Sequence, residues 1–354
     1  MSTANIDSAD IKALLSAPGL IREDVMNKIW DISRIPLPFS DMIGSGSAKQ
    51  EYTEWVTEIL DAPDPTNARV DGSDAGASGD TGGVRQGNHH QISDKVVRVS
   101  YRADASDTIG KAKELAYRLM RRQQELRRDV EAISLLNQAS VEDDGDTVAG
   151  NVGGLPTWIT TSSVNRTGNG FNTSTKLTVV GTADADGIAI TEGDIRDVVQ
   201  TVYQEGGDPT VLMSTPAAIR TISEYMFTSS ARIGTLMSDQ GKSGAKATAM
   251  GSVNVFVTDF GTLKFVPNRL QLYYLTAFGT PSLTYTPGSS FSDIFILDPQ
   301  YLSHCYLHGY RTDPLAKTGL AENRQISVDW SMKVNTEKAH GMITSVDPSL
   351  AMTP

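Results

Sequence analysis

The longest regular pattern of apolar positions in the chain lies between Asp107 and Ala139. Apolar residues recur there at steps of three and four, which places them on one stripe of an α-helix. Ser106 and Asp107 are suitable N-cap residues, and no proline interrupts the run. The pattern predicts one amphipathic helix of roughly 50 Å, at about 1.5 Å per residue. Its apolar stripe consists of Ile109, Ala112, Leu115, Ala116, Leu119, Met120, Leu126, Val130, Ile133 and Leu136.

The opposite face of this predicted helix is rich in charge, with arginines interleaved among carboxylates. Glu114 and Arg118 are four residues apart, as are Arg127 and Glu131, so each pair can stabilise the helix by a few tenths of a kcal/mol. A solvated face is one interpretation, and contact with other chains or with nucleic acid is the alternative. The interleaved carboxylates disfavour tight duplex binding. The arginines are Arg118, Arg121, Arg122, Arg127 and Arg128.

The chain before this helix is predicted to be extended. Residues 1–50 contain two short helical patterns, Asp7–Leu15 and Ile21–Ile32, and then a proline-containing stretch, IPLPF. We therefore expect an arm that lies along another surface, in the same chain or in a neighbouring one. The run DGSDAGASGDTGGVRQGNHH contains almost nothing apolar and is expected to need a partner to become ordered. Residues Gln91–Tyr101 alternate as a half-buried strand does.

The chain after the helix is predicted to alternate helices and strands. Thr191 and Asp194 form a capping-box pattern at the start of one helix, and Pro216 occupies the first turn of another. This order predicts an α+β fold. The expected strands are Lys176–Val180, TVLMS after Pro209, Val253–Thr258, Leu263–Val266, Leu270–Thr276, Ile294–Leu297, Tyr301–Tyr310, Gln325–Val334 and His340–Val346.

Composition narrows the class of protein. A chain of 354 residues can bury a substantial core, and its net charge of −11 argues against a general binder of nucleic acid or anionic membranes. The single cysteine, Cys305, excludes an intrachain disulfide and fits a reducing compartment. Neither a signal-peptide pattern nor an apolar run of about 18 residues is present, so a soluble intracellular product is expected.

The search for reactive chemistry is negative. Gly241-Lys242-Ser243 lacks the earlier glycine of a phosphate-binding P-loop. His304, Cys305 and His308 fall on a predicted strand, where His304 and His308 would lie about 13 Å apart and could not share a metal ion. His89-His90 is expected to be exposed. The sequence therefore predicts no catalytic, cofactor-binding or metal-ligating residue and no enzyme.

The order of parts and several short motifs resemble the major capsid proteins of tailed bacteriophages of the Hong Kong ninety-seven type. The resemblance covers about residues 85–346. It rests on a loop-to-helix segment with the core Glu125-Leu126-Arg127-Arg128-Asp129-Val130-Glu131 and on the turn Gly153-Gly154-Leu155-Pro156-Thr157-Trp158-Ile159. It also rests on Thr258-Asp259-Phe260-Gly261-Thr262-Leu263, Pro267-Asn268-Arg269 and Leu315-Ala316-Lys317-Thr318-Gly319.

The resemblance implies a division of the chain into five parts. Residues 1–65 would form an N-terminal arm and the start of a peripheral domain, and residues 66–103 an extended loop lying over a neighbour. Residues 104–186 would contain the spine helix and peripheral domain with an inserted loop, 187–298 the axial domain, and 299–354 the return strands of the peripheral domain. Some such capsids form a lysine–asparagine link; Lys95 and Asn88 are present, but no feature of the sequence indicates a match.

The function implied is self-assembly as pentamers and hexamers into an icosahedral head shell around double-stranded DNA. Portal, scaffolding or decoration proteins are possible partners, DNA would be contacted without sequence recognition, no membrane is involved, and the product would reside in the virion after assembly in the host bacterial cytoplasm. Another self-assembling tail or surface-layer protein is an alternative, and a soluble enzyme is the less favoured one.

Overall fold

The computed structural model describes residues 29, 33, 36–75, 82–106, 110–183, 187–228, 254–275, 281–317 and 319–353. Several predicted features lie outside these residues: the helical pattern Asp7–Leu15, nearly all of Ile21–Ile32, and Gly241-Lys242-Ser243. The first residue of the predicted strand Val253–Thr258 also lies outside them. The described helices are α1 (Pro38–Met42), α2 (Tyr101–Ala105), α3 (Glu114–Ser134), α4 (Glu192–Gln204) and α5 (Pro216–Thr228).

The strands are short except in one sheet. In chain order they are β1 (Gly44–Ser47), β2 (Tyr52–Thr57), β3 (Val84–His89), β4 (Gln91–Ser100), β5 (Ser163–Val164), β6 (Gly170–Asn172), β7 (Leu177–Val179), β8 (Val211–Ser214), β9 (Val255–Thr258), β10 (Gly261–Pro267), β11 (Tyr273–Tyr274), β12 (Pro281–Ser282), β13 (Ser292–Leu297), β14 (Leu302–Pro314), β15 (Ala321–Val334) and β16 (Gly341–Val346). The mixture of helices and sheets confirms the predicted α+β class.

Helix α3, hereafter the spine helix, is shorter than predicted. It begins at Glu114 rather than Asp107, because Gly110 adopts a positive φ of 73° and Asp104 Oδ1 accepts a hydrogen bond from Leu115 N at 3.0 Å. The side chain of Asp104 therefore caps the helix from a separate segment. The helix ends at Ser134, and Leu136 then packs closely against the backbone of Gly154.

Only part of the predicted stripe on the spine helix is buried. Leu126 and Val130 are almost completely buried, whereas Met120 is 49% exposed and Ala116 is also exposed. The C-terminal half of the spine helix thus packs into the core, and its N-terminal half presents apolar surface to its surroundings.

A four-stranded sheet in the order β1-β14-β15-β4 lies against the spine helix. The predicted strand Gln91–Tyr101 is present as β4 and pairs with β15 along its whole length, from Gln91 opposite Trp330 to Ser100 opposite Ala321. Residues 91–100 of the predicted loop, residues 66–103, are thus a strand of this sheet. The hairpin β2–β3 and its tip, residues 58–83, precede β4, and the structure describes residues 58–75 and 82–83 of the tip.

A six-stranded sheet in the order β5-β16-β13-β8-β10-β9 is covered by α4 and α5. The predicted capping box is present, because Thr191 Oγ1 accepts from Asp194 N at 2.9 Å and Asp194 Oδ2 accepts from Thr191 N at 3.2 Å. Strand β16 belongs to this sheet through its pairing with β13. Residues 299–354 therefore contribute β14 and β15 to one sheet and β16 to the other.

Two apolar clusters form the core. One contains the buried side chains of the spine helix with Trp158, Trp330 and Phe39, and the other contains those of α4 with Ile294 and Ile343. Strands β8 and β13 supply side chains to both clusters, since successive residues of a strand point to opposite faces. The two clusters are thereby joined through two strands of the six-stranded sheet.

The segment predicted as an arm is partly core. Phe39 in α1 is completely buried and Ile43 is 8% exposed, and β1 pairs in parallel with β14. This segment lies along a surface of the same chain and adds to its core, because the IPLPF stretch delivers an aromatic side chain into the first cluster. In the described part of the chain, no helix has the length and apolar character needed to cross a membrane.

Candidate assembly surfaces

A buried carboxylate on the spine helix joins three distant segments. Glu131 is fully buried, and its Oε1 accepts from Phe39 N and from Asn268 Nδ2, both at 2.8 Å. Its Oε2 accepts from Ser40 N at 2.7 Å and from Ser40 Oγ at 2.6 Å. Four donors satisfy a charge that would otherwise be costly to bury.

The location of these donors explains two of the sequence motifs. Phe39 and Ser40 belong to the first turn of α1, whose free N–H groups face an acceptor. Asn268 directly follows β10 in the Pro267-Asn268-Arg269 motif, and its Oδ1 also accepts from Leu270 N at 2.8 Å. The motif ending at Glu131 and the motif around Asn268 therefore meet. This network fixes the arm, the spine helix and the six-stranded sheet against one another.

The glycine pair of the Gly-Leu-Trp turn allows close backbone packing. A Cβ on Gly154 would lie 1.9 Å from Leu136 O, and one on Gly153 would lie 2.4 Å from Thr178 Oγ1. Gly154 N instead donates to Gln138 O at 2.9 Å. The turn places Trp158 in the core against Trp55 and Phe171, with ring centroids 5.3 Å and 5.5 Å apart.

The base of the β2–β3 hairpin is anchored to the body of the protein. Asn88 in β3 is fully buried; its Nδ2 donates to Met332 O at 2.8 Å and to Gly153 O at 3.2 Å, and its Oδ1 accepts from Gly153 N at 2.9 Å. These contacts assign Asn88 a structural position, while Lys95 forms an ion pair with Asp129 at 2.6 Å.

The histidine after β3 belongs to the same anchor. His90 is 7% exposed, with Nε2 2.7 Å from Thr53 Oγ1 and Nδ1 3.1 Å from Asp329 Oδ1. Burial lowers the pKa of His90, and the neighbouring Asp329 opposes that shift. The expectation that this residue is exposed is wrong, because β4 turns it back into the body of the protein.

The described residues of the hairpin tip, 58–75 and 82–83, contribute no side chain to either apolar cluster. Leu60 is 94% exposed, Val70 80% and Ile59 65%, and the adjoining Val56 and Val84 are also exposed. Several exposed apolar side chains in one segment are typical of a surface that meets another molecule. The tip is therefore the strongest candidate for an intermolecular contact.

The predicted structural role of the His304 segment agrees with its surroundings. The Nε2 atom of His304 lies 3.0 Å from Ser134 Oγ, and the His304 ring packs edge-on against the rings of Phe39 and Trp330. Burial lowers the pKa of His304 to about 4. His304 and His308 both lie on strand β14, and among the described residues no group of three potential ligands could hold a metal ion.

A second buried polar cluster lies at the bulge between β13 and β16 and was not predicted from the sequence. Asp293 Oδ1 accepts from Ser345 N at 3.1 Å, where Ser345 has a positive φ of 57°. Burial raises the pKa of Asp293, and the charge of Arg166 opposes this rise. The cluster lies where the register between β13 and β16 shifts. Periodicity within a single strand does not predict such a shift, so the sequence pattern did not indicate the cluster.

The arginines of the spine helix are largely engaged within the chain. Arg118 pairs with Glu114 at 2.7 Å, Arg122 pairs with Glu125, and Arg127 lies over the ring of Tyr310. Arg121 Nη2 donates to Ser33 Oγ at 3.1 Å. The predicted partnership of Arg127 with Glu131 is absent, since Glu131 points into the core.

Comparison with known proteins identifies relatives along nearly the whole chain. The family model described as SU10 major capsid protein matches residues 4–347. A curated relative, the major capsid protein of Escherichia phage Phieco32, is 30% identical over 223 residues, a match that covers 54% of this chain and 62% of that protein. The match thus spans less than two thirds of the relative's length.

Solved structures resemble the chain over almost its full length. A structure of the holo-SrpI encapsulin complex from Synechococcus elongatus PCC 7942 has a TM-score of 0.52 at 12% identity and covers 98% of each chain. The capsid of Cyanophage P-SCSP1u has a TM-score of 0.55 at 10% identity, covering 94% of this chain and 96% of that one. A structure from Mycobacterium phage Adephagia has a TM-score of 0.52 at 10% identity, covering 96% and 98%.

Proposed function

The chain belongs to the SU10 major capsid protein family, and we propose that copies of it assemble as pentamers and hexamers into the icosahedral head shell of a tailed phage. Its fold is that of Hong Kong ninety-seven-type capsids and encapsulins. The family is one of structural capsid proteins, which confirms the expectation that the chain is not an enzyme.

One observation carries this proposal beyond family membership. The β2–β3 hairpin extends from a buried anchor at Asn88 to a tip where Leu60 is 94% exposed. The free energy gained by burying such side chains, about 25 cal/mol per Å² of apolar surface, is available only through contact with another molecule. Repetition of that contact around a closed shell would make dissociation slow.

The sheets suggest roles for the parts of the chain. The spine helix and the four-stranded sheet correspond to the proposed peripheral domain, and the six-stranded sheet with α4 and α5 to the proposed axial domain. The hairpin tip, residues 58–83, replaces residues 66–103 as the proposed loop over a neighbouring subunit. The Glu131 network would hold the peripheral and axial parts in one orientation during assembly.

The shell would enclose double-stranded DNA and contact it weakly and without sequence recognition. Two features support weak contact: the chain has a net charge of −11, and Arg118 and Arg122 are paired with carboxylates. The proposed location is the virion after assembly in the host bacterial cytoplasm, with portal, scaffolding or decoration proteins as further partners. Filter binding to duplex DNA should therefore be weak and fall with added salt.

Removal of the hairpin tip tests the assembly proposal. Thr57 and Val84 already face each other across the hairpin, so Asn-Gly can replace residues 58–83 as a two-residue turn. The shortened protein should retain its far-UV circular dichroism spectrum, because residues 58–75 and 82–83, the described part of the tip, add nothing to the core. Electron microscopy should reveal no closed shells.

A matched control shortens a different hairpin in the same way. Asn172 and Leu177 face each other in the β6–β7 hairpin, and Asn-Gly can replace the residues between them. This variant should still form shells. Normal shells from the protein without its tip would refute the proposed role of the tip. Tubes or flat sheets from the unaltered protein would instead favour a tail or surface-layer component.

A further inference from the structure

His90 occupies the corner where the chain passes from one sheet to another. It lies between β3, which pairs with β2 in a two-stranded sheet, and β4, which belongs to the four-stranded sheet. Its backbone N donates to Glu51 O at 3.0 Å. A Cβ on Gly150 would lie 2.8 Å from His90 O, so the corner also packs closely against a separate segment. The His90 ring therefore lies where the β2–β3 strand pair meets the body of the protein.

The imidazole of His90 connects the two sheets. Its Nδ1 lies 3.1 Å from Asp329 Oδ1 on β15, and its Nε2 lies 2.7 Å from Thr53 Oγ1 on β2. Because an ionised carboxylate can only accept, the neutral ring donates from Nδ1 to Asp329 and accepts at Nε2 from the Thr53 hydroxyl. A second proton on the ring turns Nε2 into a donor, and the Thr53 hydroxyl then loses its acceptor. The neutral ring thus fits this site better than the charged ring.

The charged and titratable groups around His90 come from several elements. Asp329 lies on β15, Glu51 directly precedes β2, and His89 is the last residue of β3. Glu142, in the segment after the spine helix, acts on His89. Burial lowers the pKa of His90 by more than Asp329 and Glu51 raise it, and the residue is 7% exposed. The surroundings of the ring therefore favour its neutral form.

The other contacts at this corner do not titrate near neutral pH. Asn88 donates to two backbone carbonyl groups, and Ser331 Oγ donates to His89 O at 3.0 Å. Trp55 packs against Trp158 in the first apolar cluster. Amide, hydroxyl and indole groups keep one protonation state between about pH 5 and 8, where histidine changes charge. A dependence of this corner on pH in that range must therefore come from its histidines.

We propose that His90 is a pH-dependent latch, formed by its contacts with Asp329 and Thr53, that holds the β2–β3 strand pair against the four-stranded sheet. The neutral ring keeps the latch closed, and protonation favours an open form in which the ring reaches solvent. The open form binds a proton more readily than the closed form. The equilibrium constant for opening should therefore rise by up to about tenfold for each pH unit below about 6.5. This inference goes beyond the proposed assembly and does not depend on it, since the whole latch lies within one chain.

Hydrogen exchange of backbone amides, measured by mass spectrometry on the full chain, tests the latch. His90→Gln supplies the comparison, because glutamine can still contact Thr53 and does not titrate. Comparing the two proteins at the same pH, in the same state of assembly, cancels the effect of pH on intrinsic exchange. In peptides covering residues 49–57 and 84–91, opening in the unaltered protein relative to His90→Gln should rise several-fold from about pH 7.5 to about pH 5.5.

Two further variants separate the latch from a merely structural contact. His308 is exposed on β14, and His308→Gln should leave the pH profile unchanged. Asp329→Asn removes the carboxylate that opposes the fall in the pKa of His90, so opening should continue to rise to lower pH than in the unaltered protein. A ratio of openings that stays constant with pH would overturn the latch, because a structural contact acts equally at every pH. If His90→Gln does not fold, an Asp329→Asn profile identical to that of the unaltered protein would overturn it.

Discussion

At the scale of single residues, Glu131 has the most demanding environment in the protein. Its carboxylate is fully buried and accepts from two backbone N–H groups, a hydroxyl and an amide. A sequence pattern placed it on the charged face of a helix and paired it with Arg127. Glu131 faces the core because its hydrogen-bond donors include Phe39 and Ser40, which lie more than 90 residues away in the sequence. Local spacing contains no information about these partners.

Glu131→Gln should destabilise the protein, because an amide cannot accept hydrogen bonds at both of its terminal atoms. We expect the free energy of unfolding of the unassembled subunit to fall by roughly 1.5–3 kcal/mol, the range for hydrogen bonds to a charged group. Urea unfolding followed by circular dichroism measures this loss. Glu125→Gln, which removes only a surface pair with Arg122, should cost less than about 1 kcal/mol. Equal effects of the two substitutions would contradict the role assigned to Glu131.

His304 should make stability depend on pH. Burial lowers its pKa to about 4, below the ordinary value of 6.5, so the unfolded chain binds more protons than the folded one between those two values. Stability should therefore be lost as the pH falls from 6.5 towards 4, by up to about 1.4 kcal/mol per pH unit from this residue. His304→Gln should reduce that slope in unfolding experiments at several pH values. An unchanged slope would show that His304 does not titrate in this way.

At the scale of elements, patterns within one segment were predicted well. The helix capped by Thr191 and Asp194 begins at Glu192, and its stripe of Ile195, Val198, Val199 and Val202 is buried. The spine helix was predicted to begin too early, because Ile109 and Ala112 continue the apolar spacing past its true start. The positive φ of Gly110 and the cap from Asp104 set the start of the helix at Glu114. Apolar periodicity predicts neither of these effects.

Phe39→Ala tests whether α1 belongs to the core. The side chain is completely buried against the first apolar cluster, so we expect a loss of about 3–5 kcal/mol in the free energy of unfolding. Val56→Ala, at a side chain that is 64% exposed, should change it by less than about 0.5 kcal/mol. Deletion of Met1–Gly44 should consequently unfold or strongly destabilise the subunit. A fully stable Phe39→Ala variant would restore the view of this segment as a surface arm.

At the scale of the whole molecule, the order of parts carried the prediction of fold and family. The α+β class, the spine helix, most strands and the capsid resemblance followed from the sequence. The pairing of β4 with β15 did not, because it joins residues more than 200 positions apart. The motif residues Glu131, Asn268, Gly153 and Gly154 were found through the resemblance, and their contacts became clear only in the fold.

The central claim is that this chain closes into a shell by intersubunit contact. Electron microscopy of the purified protein expressed alone, with light scattering on the same sample, tests it most directly. We predict closed particles tens of nanometres across, or pentamers and hexamers that precede them. A uniform monomer near 38.1 kDa, unchanged with concentration and salt, would contradict self-assembly of this chain alone.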